Sequence, residues 1–505
     1  MTGKLVLTFI AMGIGVCVIA LDIAAINVAL PEVENDFKTT IGTIEWVVNG
    51  YALAFAVLMV TCGRLADTFG RRKIFYIGLI IFWVASLVGA LSWDAGVLIA
   101  ARVLQGAGAA FLWPSILGIV YSAVSDEQKG LAVGLILGAA GVGNAAGPLI
   151  GGLLTEYFGW RAVLFFNLPL AMIAGIITYF VIKGEDVGQE SKSIDYLGIA
   201  AVSICLTALL FAINLSPDWG WLSLKTALFL AVFLMFLVLF IFIERRTVEA
   251  LIPRDVMNNR RFMITGAMMS ITVPAFFSIL LFIPQYLEKF FDYSPVYAGA
   301  GIVPMLLSFA VTAPISGKIY NRLGAKWSIF TGMTLLSLGT FLILFFGFDA
   351  GFIGFVPGMV IFGIGVGFSV PSITTAAVGE VDESRASLAG GIIYMLELAG
   401  GALGLAVITT IFTDVARNDI LNKLSNIGIA ANGPHMSDII NFVLGSGSRQ
   451  TLVSTLGETK LNELLPYIHH AYVSGLEKGL GLAAVVVAVG AVLTLLFIGD
   501  REGAR

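Results

Sequence analysis

The chain has 505 residues, of which 58% are hydrophobic and only 12% are charged, and its formal net charge is −4. A soluble domain carries about 25% charged residues, so this composition excludes an ordinary soluble globular protein. No basic tail or patch is present. Nucleic acid is therefore excluded as a partner, because a phosphate backbone is bound by clustered Lys and Arg. Composition predicts an all-α protein that spans the lipid bilayer several times.

Apolar runs near or above the ~20 residues that cross a bilayer recur along the whole chain. The first run contains Asp22 and lacks the small-residue cleavage site of a signal peptide, so we expect it to be retained. We count fourteen spans, which cover residues 5–30, 44–63, 73–92, 96–122, 129–154, 161–183, 194–215, 221–244, 261–287, 295–320, 327–347, 352–378, 387–413 and 471–499. An even number of spans places both termini on the same side of the membrane.

The distribution of Lys and Arg between the connecting segments predicts the orientation. Nineteen fall on the side of the termini and nine on the other side. Five of those nine lie in or beside the long segment before the last span, where the rule is weak. We therefore expect a multi-pass protein of the inner (plasma) membrane with both termini in the cytoplasm. The three cysteines lie inside apolar runs, and we expect free, buried thiols: Cys17, Cys62 and Cys205.

Two connections are unusually long. Arg245–Arg261 is basic and is suited to a linker between two halves, whereas Thr413–His470 is predicted on the outer side. The second segment contains amphipathic pieces, such as Ile420–Ile427 and Asp438–Leu444, which we expect to lie on the membrane face as short helices. Its three histidines are expected to be solvated and to form no metal site: His435, His469 and His470.

Three charged residues lie deep inside predicted spans, where each costs about 2.5–3.5 kcal/mol on insertion scales. They are Asp22 in span one, Arg102 in span four and Glu397 in span thirteen. Asp22 and Arg102 either form a structural ion pair between helices, or Asp22 takes up and releases a proton under the influence of Arg102. Glu397 has no obvious partner in its own span, so it either rests protonated or lies at a wet interface.

Two basic breaks between apolar runs share one outline. Gly63–Lys73 reads GRLADTFGRRK and Gly317–Lys326 reads GKIYNRLGAK. Each begins with a glycine and a basic residue, has a second glycine seven positions after the first, and ends on a basic residue. Such a repeat indicates a membrane bundle that is built twice, as in many secondary transporters.

Four motifs occur in order along the first half of the chain, in span one, the first basic break, span four and span five. A further pair, Trp160-Arg161 and Asn167-Leu168-Pro169, accompanies span six, and span one contains LDIAAINVALP at Leu21–Pro31. The first basic break contributes Gly63, Asp67, Gly70, Arg71 and Arg72. Span four contributes Arg102, Gln105, Gly106 and Gly108. Span five contributes Gly143, Gly147, Pro148, Gly151 and Gly152, in which three glycines recur every four residues and permit close helix packing.

In these motifs the chain resembles the major facilitator superfamily, specifically its drug/proton antiporters with fourteen spans. The resemblance implies two six-helix bundles around a central cavity. Residues 1–183 would form the N-terminal bundle, residues 184–260 two extra spans and a cytoplasmic linker, and residues 261–499 the C-terminal bundle with an outer insertion at 414–470. Residues 500–505 would form a cytoplasmic tail.

The resemblance also implies roles for single residues. Asp67 and the arginines beside it would close the cytoplasmic side by pairing between the bundles, whereas Asn321 takes the place of Asp67 in the second copy and would close it more weakly. Asp22 and Arg102 would face the cavity near each other. Candidate cavity walls are the aromatic residues Trp46, Tyr51, Trp113, Phe276, Phe277 and Tyr394.

We therefore expect a proton-coupled exporter of lipophilic small molecules that works by alternating access, with Asp22, Glu397 and Arg102 in the coupling. Its energy source would be the proton gradient, with no cofactor, because the sequence has no ATP-binding Gly-x-x-x-x-Gly-Lys-Ser/Thr loop. Two alternatives stay open: export of an endogenous metabolite such as a siderophore or lipid, and a non-transporting membrane sensor on the same scaffold. No set of nucleophile and base indicates an enzyme.

Overall fold

The computed structural model describes residues 3–182, 195–221, 223–247, 250–291, 293–348, 351–426, 436–444 and 449–499. Helices dominate, and no β-strand occurs within these ranges, which confirms the predicted all-α class. The helices are α1 Gly3–Phe37, α2 Ile41–Ile44, α3 Trp46–Phe69, α4 Arg71–Ala90, α5 Ala95–Ser122, α6 Lys129–Phe158, α7 Arg161–Val181, α8 Tyr196–Trp219, α9 Leu224–Arg246, α10 Arg254–Met257, α11 Arg260–Phe290, α12 Pro295–Ala300, α13 Val303–Phe346, α14 Phe352–Val378, α15 Ala386–Asn426, α16 Met436–Leu444, α17 Arg449–Leu456 and α18 Glu458–Phe497.

Thirteen helices of the described chain are long and apolar enough to cross a membrane. One of them, Tyr297–Phe346, joins the end of α12 to α13 and has 50 residues. As a straight helix it would be about 75 Å long, whereas the hydrocarbon core is about 30 Å thick. Its backbone leaves helical geometry at Gly324, with φ 76° and ψ 171°, a conformation that glycine adopts without a steric penalty. The 50-residue segment is therefore not one straight span.

The two arms of α13 on either side of Gly324 run in opposite directions along α14. The first arm is parallel to α14, and the second arm is antiparallel to it. The contacts that establish this are Met305 with Gly363 and Thr312 with Gly367 for the first arm, and Gly332 with Ser369 and Gly339 with Phe362 for the second. The arms therefore count as two candidate crossings, so the thirteen candidate helices fit the fourteen predicted spans.

The long helices pack as two groups of six crossings. Helices α1 and α3–α7 form the N-terminal half, and α11, both arms of α13, α14, α15 and α18 form the C-terminal half. The halves meet where α3 and α5 contact α15, and where α6 contacts α13 and α14. We call the end that carries Gly63–Lys73 and Gly317–Lys326 the basic end, and the other the opposite end.

Helices α8 and α9 form a hairpin that lies against both halves. Trp46 of α3 contacts Phe211 of α8, with ring centroids 5.3 Å apart. On the other side, the indole Nε1 of Trp221 donates a hydrogen bond of 2.8 Å to Thr410 Oγ1 of α15. The hairpin therefore covers the seam between α3 and α15.

The segment 414–470 differs from its prediction. Its two ends are not separate helices on the membrane face, because α15 continues to Asn426 and α18 begins already at Glu458. The extensions bury apolar residues at helical spacing, namely Ala416, Ile420 and Leu424 on α15, and Leu461, Leu464 and Ile468 on α18. An amphipathic stripe fits a neighbouring helix as well as a lipid surface, and here the structure uses it for packing.

Between these extensions, α16 packs against the protein. Its Phe442 and Val443 are buried, and the ammonium group of Lys289 on α11 donates a hydrogen bond of 2.5 Å to Phe442 O. Residues 427–435, which include His435 and the end of the predicted piece Ile420–Ile427, lie outside the described ranges, as do residues 500–505.

The two adjacent histidines lie on α18 and not on a polar loop. His469 Nε2 is 2.7 Å from the hydroxyl of Tyr286, and its ring packs edge-on against Phe290. His470 Nδ1 is 3.1 Å from Asp419 Oδ2. The expectation of solvated side chains was therefore wrong for His469, which packs against α11, but His470 is 64% exposed although it contacts Asp419. Within the described ranges, no group of three or more His, Cys, Asp and Glu residues could hold a metal ion.

Close packing of α13 on α14 requires glycine at position 363, because Met305 O lies where a side chain would begin. We expect Gly363→Ala to lower the free energy of unfolding by about 1–3 kcal/mol, the usual cost of overpacking. The control is Gly481→Ala on α18, where nothing lies within 4 Å of an added Cβ. Thermal melting of the detergent-solubilised protein measures both. Equal melting temperatures for the two variants would contradict this packing.

Candidate functional site

Asp22 of α1 is the centre of a buried polar network in the N-terminal half. Its side chain is fully buried, and Arg102 Nη1 of α5 lies 2.5 Å from its Oδ2. Gln105 Nε2 donates to Asp22 Oδ1 at 3.1 Å, and Asn167 Nδ2 of α7 donates to the same oxygen at 2.6 Å. Asp22 therefore has one cationic and two neutral donors from two other helices.

The guanidinium of Arg102 is equally well paired. Its Nε donates to Val47 O at 3.0 Å, and its Nη1 also donates to Gln105 Oε1 at 2.6 Å. The ring of Tyr51 lies against it, with 4.3 Å between the guanidinium carbon and the ring centroid. A buried ion pair is stable when its other donors and acceptors are also satisfied, and here both oxygens of Asp22 and the Nε and Nη1 groups of Arg102 have partners.

Glycines of the fourth-span motif allow Arg102 and Gln105 to reach this position. Tyr51 O of α3 lies where a side chain at Gly106 would begin, and a Cβ at Gly108 would lie 2.6 Å from Phe82 N of α4. Any larger residue at either position would separate α5 from its neighbours. The close packing brings the polar side chains of α5 to Asp22.

Glycines of the span-five motif allow α6 to pack closely against α1. Gly143 packs on the backbone of Cys17, Gly147 on Ala24, and a Cβ at Gly151 would lie 2.6 Å from Ala25 O. Gly152 and Pro148 are buried as well, and α6 continues through Pro148. This face of α6 therefore fixes the position of α1, the helix that carries Asp22.

A narrow cavity of about 50 Å³ lies between the two halves. Because one water needs about 10–15 Å³ on this measure, it holds a few waters, and a drug-sized ligand would require it to widen. Its walls come from α5 and α6 on one side and from α11 and α13–α15 on the other. They are Trp113, Leu137, Ala140, Asn144, Thr272, Val273, Phe276, Phe309, Leu336, Val366, Val370, Tyr394 and Glu397.

Three of the six predicted wall residues line this cavity: Trp113, Phe276 and Tyr394. The other three do not line it in this conformation, because each contacts a neighbouring helix or side chain. Tyr51 lies against Arg102, Trp46 lies against the α8–α9 hairpin, and Phe277 packs on Gly401. Asp22 and Arg102 also do not line the cavity, since both are enclosed within the N-terminal half.

Among the residues that the structure describes, Glu397 of α15 is the one carboxylate that lines the cavity. It makes no hydrogen bond or ion pair with any residue that the structure describes. Its surroundings are mostly apolar and aromatic, with Asn144, Thr272 and Tyr394 as the polar residues on the same wall. Glu397 is thus open to the space between the halves and unpaired, whereas Asp22 is enclosed and fully paired.

The halves are in contact at the basic end through the first loop motif. Asp67 accepts hydrogen bonds from Ser387 N at 3.2 Å and Leu388 N at 2.7 Å, at the start of α15. A carboxylate at a helix N-terminus is favoured by the unpaired amide groups and by the helix dipole. Arg71 bonds Asp67 at 3.1 Å and donates to Glu383 O at 2.5 Å in the C-terminal half. Gly63 also packs on the backbone of Ser387.

Arg72 does not cross to the other half. It lies against the rings of Tyr76 and Tyr179, both in the N-terminal half, at 5.8 and 5.7 Å. Gly70, at φ 97°, separates α3 from α4 and turns the chain between Asp67 and Arg71. Of the two arginines expected to pair between bundles, therefore, only Arg71 does so in this conformation.

The second loop copy also joins the halves. The side-chain amide of Asn321 donates a hydrogen bond to Glu127 O in the N-terminal half. Gly317 packs directly on the backbone of Gly130. A neutral amide on a backbone carbonyl is a weaker contact than a carboxylate on a helix N-terminus. Lys129 adds an ion pair of 3.0 Å to Glu383.

Comparison with known proteins establishes the family. The sequence profile described as Major Facilitator Superfamily matches residues 12–405, more than half of the chain. The chain belongs to the major facilitator superfamily. This confirms the resemblance seen in the motifs, and it makes the protein a membrane transporter and not an enzyme.

Two relatives and one structure illustrate the similarity. The chain is 28% identical, over 97% of its length and 90% of the relative, to the "Tetracenomycin C resistance and export protein" of Streptomyces glaucescens. It is 28% identical, over 80% of its length and 88% of the relative, to the "Riboflavin transporter RibZ" of Clostridioides difficile (strain 630). The human organic anion transporter MFSD10 (TETRAN) shares the fold, with a TM-score of 0.60 at 11% identity over 98% of this chain and 100% of that one.

Sequence reasoning missed several residues of these sites. Asn167 was noted only as part of a motif, yet it donates to Asp22. Ser86 accepts from Gln105 Nε2 at 2.9 Å. Glu383 accepts from both Arg71 and Lys129. The basic residues of the first loop need acceptors on the other half of the protein. A search for such acceptors in the C-terminal half could have identified Glu383 from the sequence.

The buried network predicts an asymmetric response to substitution. We expect Asp22→Asn to lower the free energy of unfolding by about 3–5 kcal/mol, because Arg102 would remain buried without a counter-charge. Adding Arg102→Gln should restore part of that loss, because it removes the uncompensated charge. Asp36→Asn, at a half-exposed ion pair with Arg161, serves as the control and should change little. A double variant as unstable as the sum of the singles would refute the pairing.

The contacts at the basic end predict that Asp67→Asn loosens this end. The variant loses the charge that strengthens the bonds to Ser387 N and Leu388 N, which are worth about 1.5–3 kcal/mol each when charged. In a background without the three native cysteines, the pair Glu127→Cys and Asn321→Cys should form an oxidative cross-link. We expect Asp67→Asn to reduce its yield several-fold.

Glu156→Gln is the control for that experiment, because Glu156 is an exposed carboxylate at the opposite end of α6. Its cross-linking yield should equal that of the parent pair. An unchanged yield in Asp67→Asn would mean that this carboxylate does not hold the basic end closed.

Proposed function

We propose that this transporter exports lipophilic small molecules in exchange for protons, and that Glu397 is the group that carries the proton. The observation behind the proposal is the contrast between the two membrane-embedded acids. Asp22 is enclosed and has three donors, whereas Glu397 lines the space between the halves and has no partner among the described residues.

The energetics favour Glu397 for the exchange of a proton. Protonating Asp22 would break its ion pair and leave Arg102 charged in a dry interior, at a cost of several kcal/mol. Protonating Glu397 breaks no contact and removes an unpaired charge from an apolar cavity. The network around Asp22 is therefore assigned a structural role, and Arg102 the role of its counter-charge.

A single carboxylate in the cavity gives a simple exchange rule. Ionised Glu397 attracts a cationic or polarised substrate, and a proton arriving from the other side of the membrane abolishes that attraction. Substrate and proton thus compete for one site, which couples their movements in opposite directions without ATP. The proton gradient is the proposed energy source.

Alternating access requires that the halves separate at one end at a time. In this conformation the basic end is closed by Asp67, Arg71 and Asn321. The excess of Lys and Arg at this end supports a cytoplasmic location for it and for both termini. We therefore assign this conformation to a state that is closed towards the cytoplasm. The bacterial relatives support the plasma membrane as the location.

The names of the relatives support two classes of substrate. Resistance and export of tetracenomycin C favours a foreign compound, whereas the riboflavin transporter favours an endogenous metabolite. We propose foreign lipophilic compounds first, because the relative matched over 97% of this chain is a resistance protein.

Proton release on substrate addition tests the proposal. In inverted membrane vesicles acidified by respiration, ethidium or benzalkonium should dissipate the proton gradient when the natural chain is present. We expect Glu397→Gln to lower the initial rate at least tenfold at equal protein level, because the exchangeable proton is lost. Glu156→Gln should have no effect.

Three other outcomes are informative. A proton flux that persists in Glu397→Gln would contradict its role as carrier. A flux lost only in Asp22→Asn, at normal folded yield, would transfer that role to Asp22. If foreign compounds move no protons but riboflavin or a siderophore does, the metabolite alternative replaces multidrug export.

A further inference from the structure

The indole of Trp113 is a buried polar group of the cavity wall that has no hydrogen-bond partner among the described residues. Its side chain lines the cavity and is 3% exposed, yet its Nε1–H has no acceptor among the described residues. More than nine in ten buried polar groups are hydrogen-bonded, so an unpaired buried donor needs an explanation. The Nε1 atom is itself enclosed in this conformation, so its lack of a partner is explained if widening of the cavity around a ligand brings an acceptor to it.

The neighbours of Trp113 hold its ring in place. Tyr394 lies against it with ring centroids 4.1 Å apart and 33° between the planes, and Phe55 meets it edge-on at 6.2 Å. Tyr394 belongs to the C-terminal half and Trp113 to the N-terminal half. The pair therefore spans the seam that must open and close during transport.

The remaining wall offers flat apolar surface. Phe276 and Phe309 contact each other edge-on at 6.5 Å, and both line the cavity with Trp113 and Tyr394. Aromatic walls favour planar ring systems through stacking and area burial. Glu397 on the same wall is the one carboxylate available to a positive charge.

We infer that Trp113 Nε1–H is a specificity-determining donor, and that the cavity selects planar polycyclic cations that carry a carbonyl or similar oxygen acceptor. The inference rests on the proposed function and names the substrate class of that same site. The oxygen accepts from Trp113, the rings lie between the aromatic walls, and the positive group interacts with Glu397. Because Trp113 and Glu397 belong to different halves, such a ligand contacts both.

Binding of two matched cations tests the inference. The probes are (anthraquinon-2-ylmethyl)trimethylammonium and (anthracen-2-ylmethyl)trimethylammonium, which differ at ring positions 9 and 10, where the first has carbonyl groups and the second has C–H groups. With the full chain in lipid nanodiscs, calorimetric titration should give a Kd for the quinone that is about 2- to 12-fold lower, the value of one hydrogen bond. Trp113→Phe should abolish this preference by weakening quinone binding, and should leave the anthracene Kd within about twofold.

Two control variants separate the hydrogen bond from other effects. Trp327→Phe removes a half-exposed tryptophan from α13 and should leave the quinone preference intact. Glu397→Gln should weaken both cations by the same factor, because both carry the same charge. A quinone preference that persists in Trp113→Phe would overturn the inference. An equal loss of affinity for both cations in Trp113→Phe would also overturn it.

The failure of this inference is distinct from failure of the proposed function. If both cations bind equally and still release protons in vesicles, export coupled to protons stands and the role of Trp113 is refuted. If neither cation binds the natural chain, the assigned substrate class is wrong whatever the vesicle assay gives with ethidium. If the quinone preference holds but no proton flux occurs, the donor role stands and the coupling is refuted.

Discussion

A charge inside the membrane must be neutralised by a partner or by a proton, and the arrangement of this protein follows from how Asp22 and Glu397 meet that requirement. Asp22 has a partner, since Arg102 and two neutral donors surround it in the N-terminal half. Glu397 has none among the described residues and lies in the space between the halves. The first arrangement stabilises the N-terminal half, and the second is the one that we propose responds to substrate and proton.

Both arrangements depend on close helix packing. The glycines of α5 and of the α1-facing side of α6 bring α1, α3, α4 and α5 near enough for Asp22 and Arg102 to pair. Another row of small residues on α6 serves a different purpose, because Gly134 and Gly138 pack on the α13 backbone of the C-terminal half. One helix thus supports the rigid network on one face and the separable seam on another. At the basic end, the two halves are held together mainly by backbone amide groups at the start of α15, which donate hydrogen bonds to Asp67.

Hydropathy and charge predicted the spans, the two-fold repeat and the acids deep in the membrane, because those signals reflect the cost of placing each group in lipid. They could not predict which aromatic residues line the cavity, since that depends on the rotation of each helix, and Tyr51 and Trp46 lie elsewhere. Asn167 was overlooked as a partner of Asp22 because a neutral amide gives a weak sequence signal. The segment 414–470 was misassigned because an amphipathic stripe looks the same whether it faces lipid or a neighbouring helix.

The central claim is that Glu397 changes its protonation during transport while Asp22 stays ionised. Infrared difference spectroscopy of the reconstituted protein, recorded on addition of substrate, detects the carbonyl stretch of a protonated carboxylic acid directly. The account predicts that substrate binding removes this band in the natural chain and in Asn167→Ala. In Glu397→Gln, substrate binding should produce no such change. A band that persists in Glu397→Gln but disappears in Asp22→Asn would contradict it.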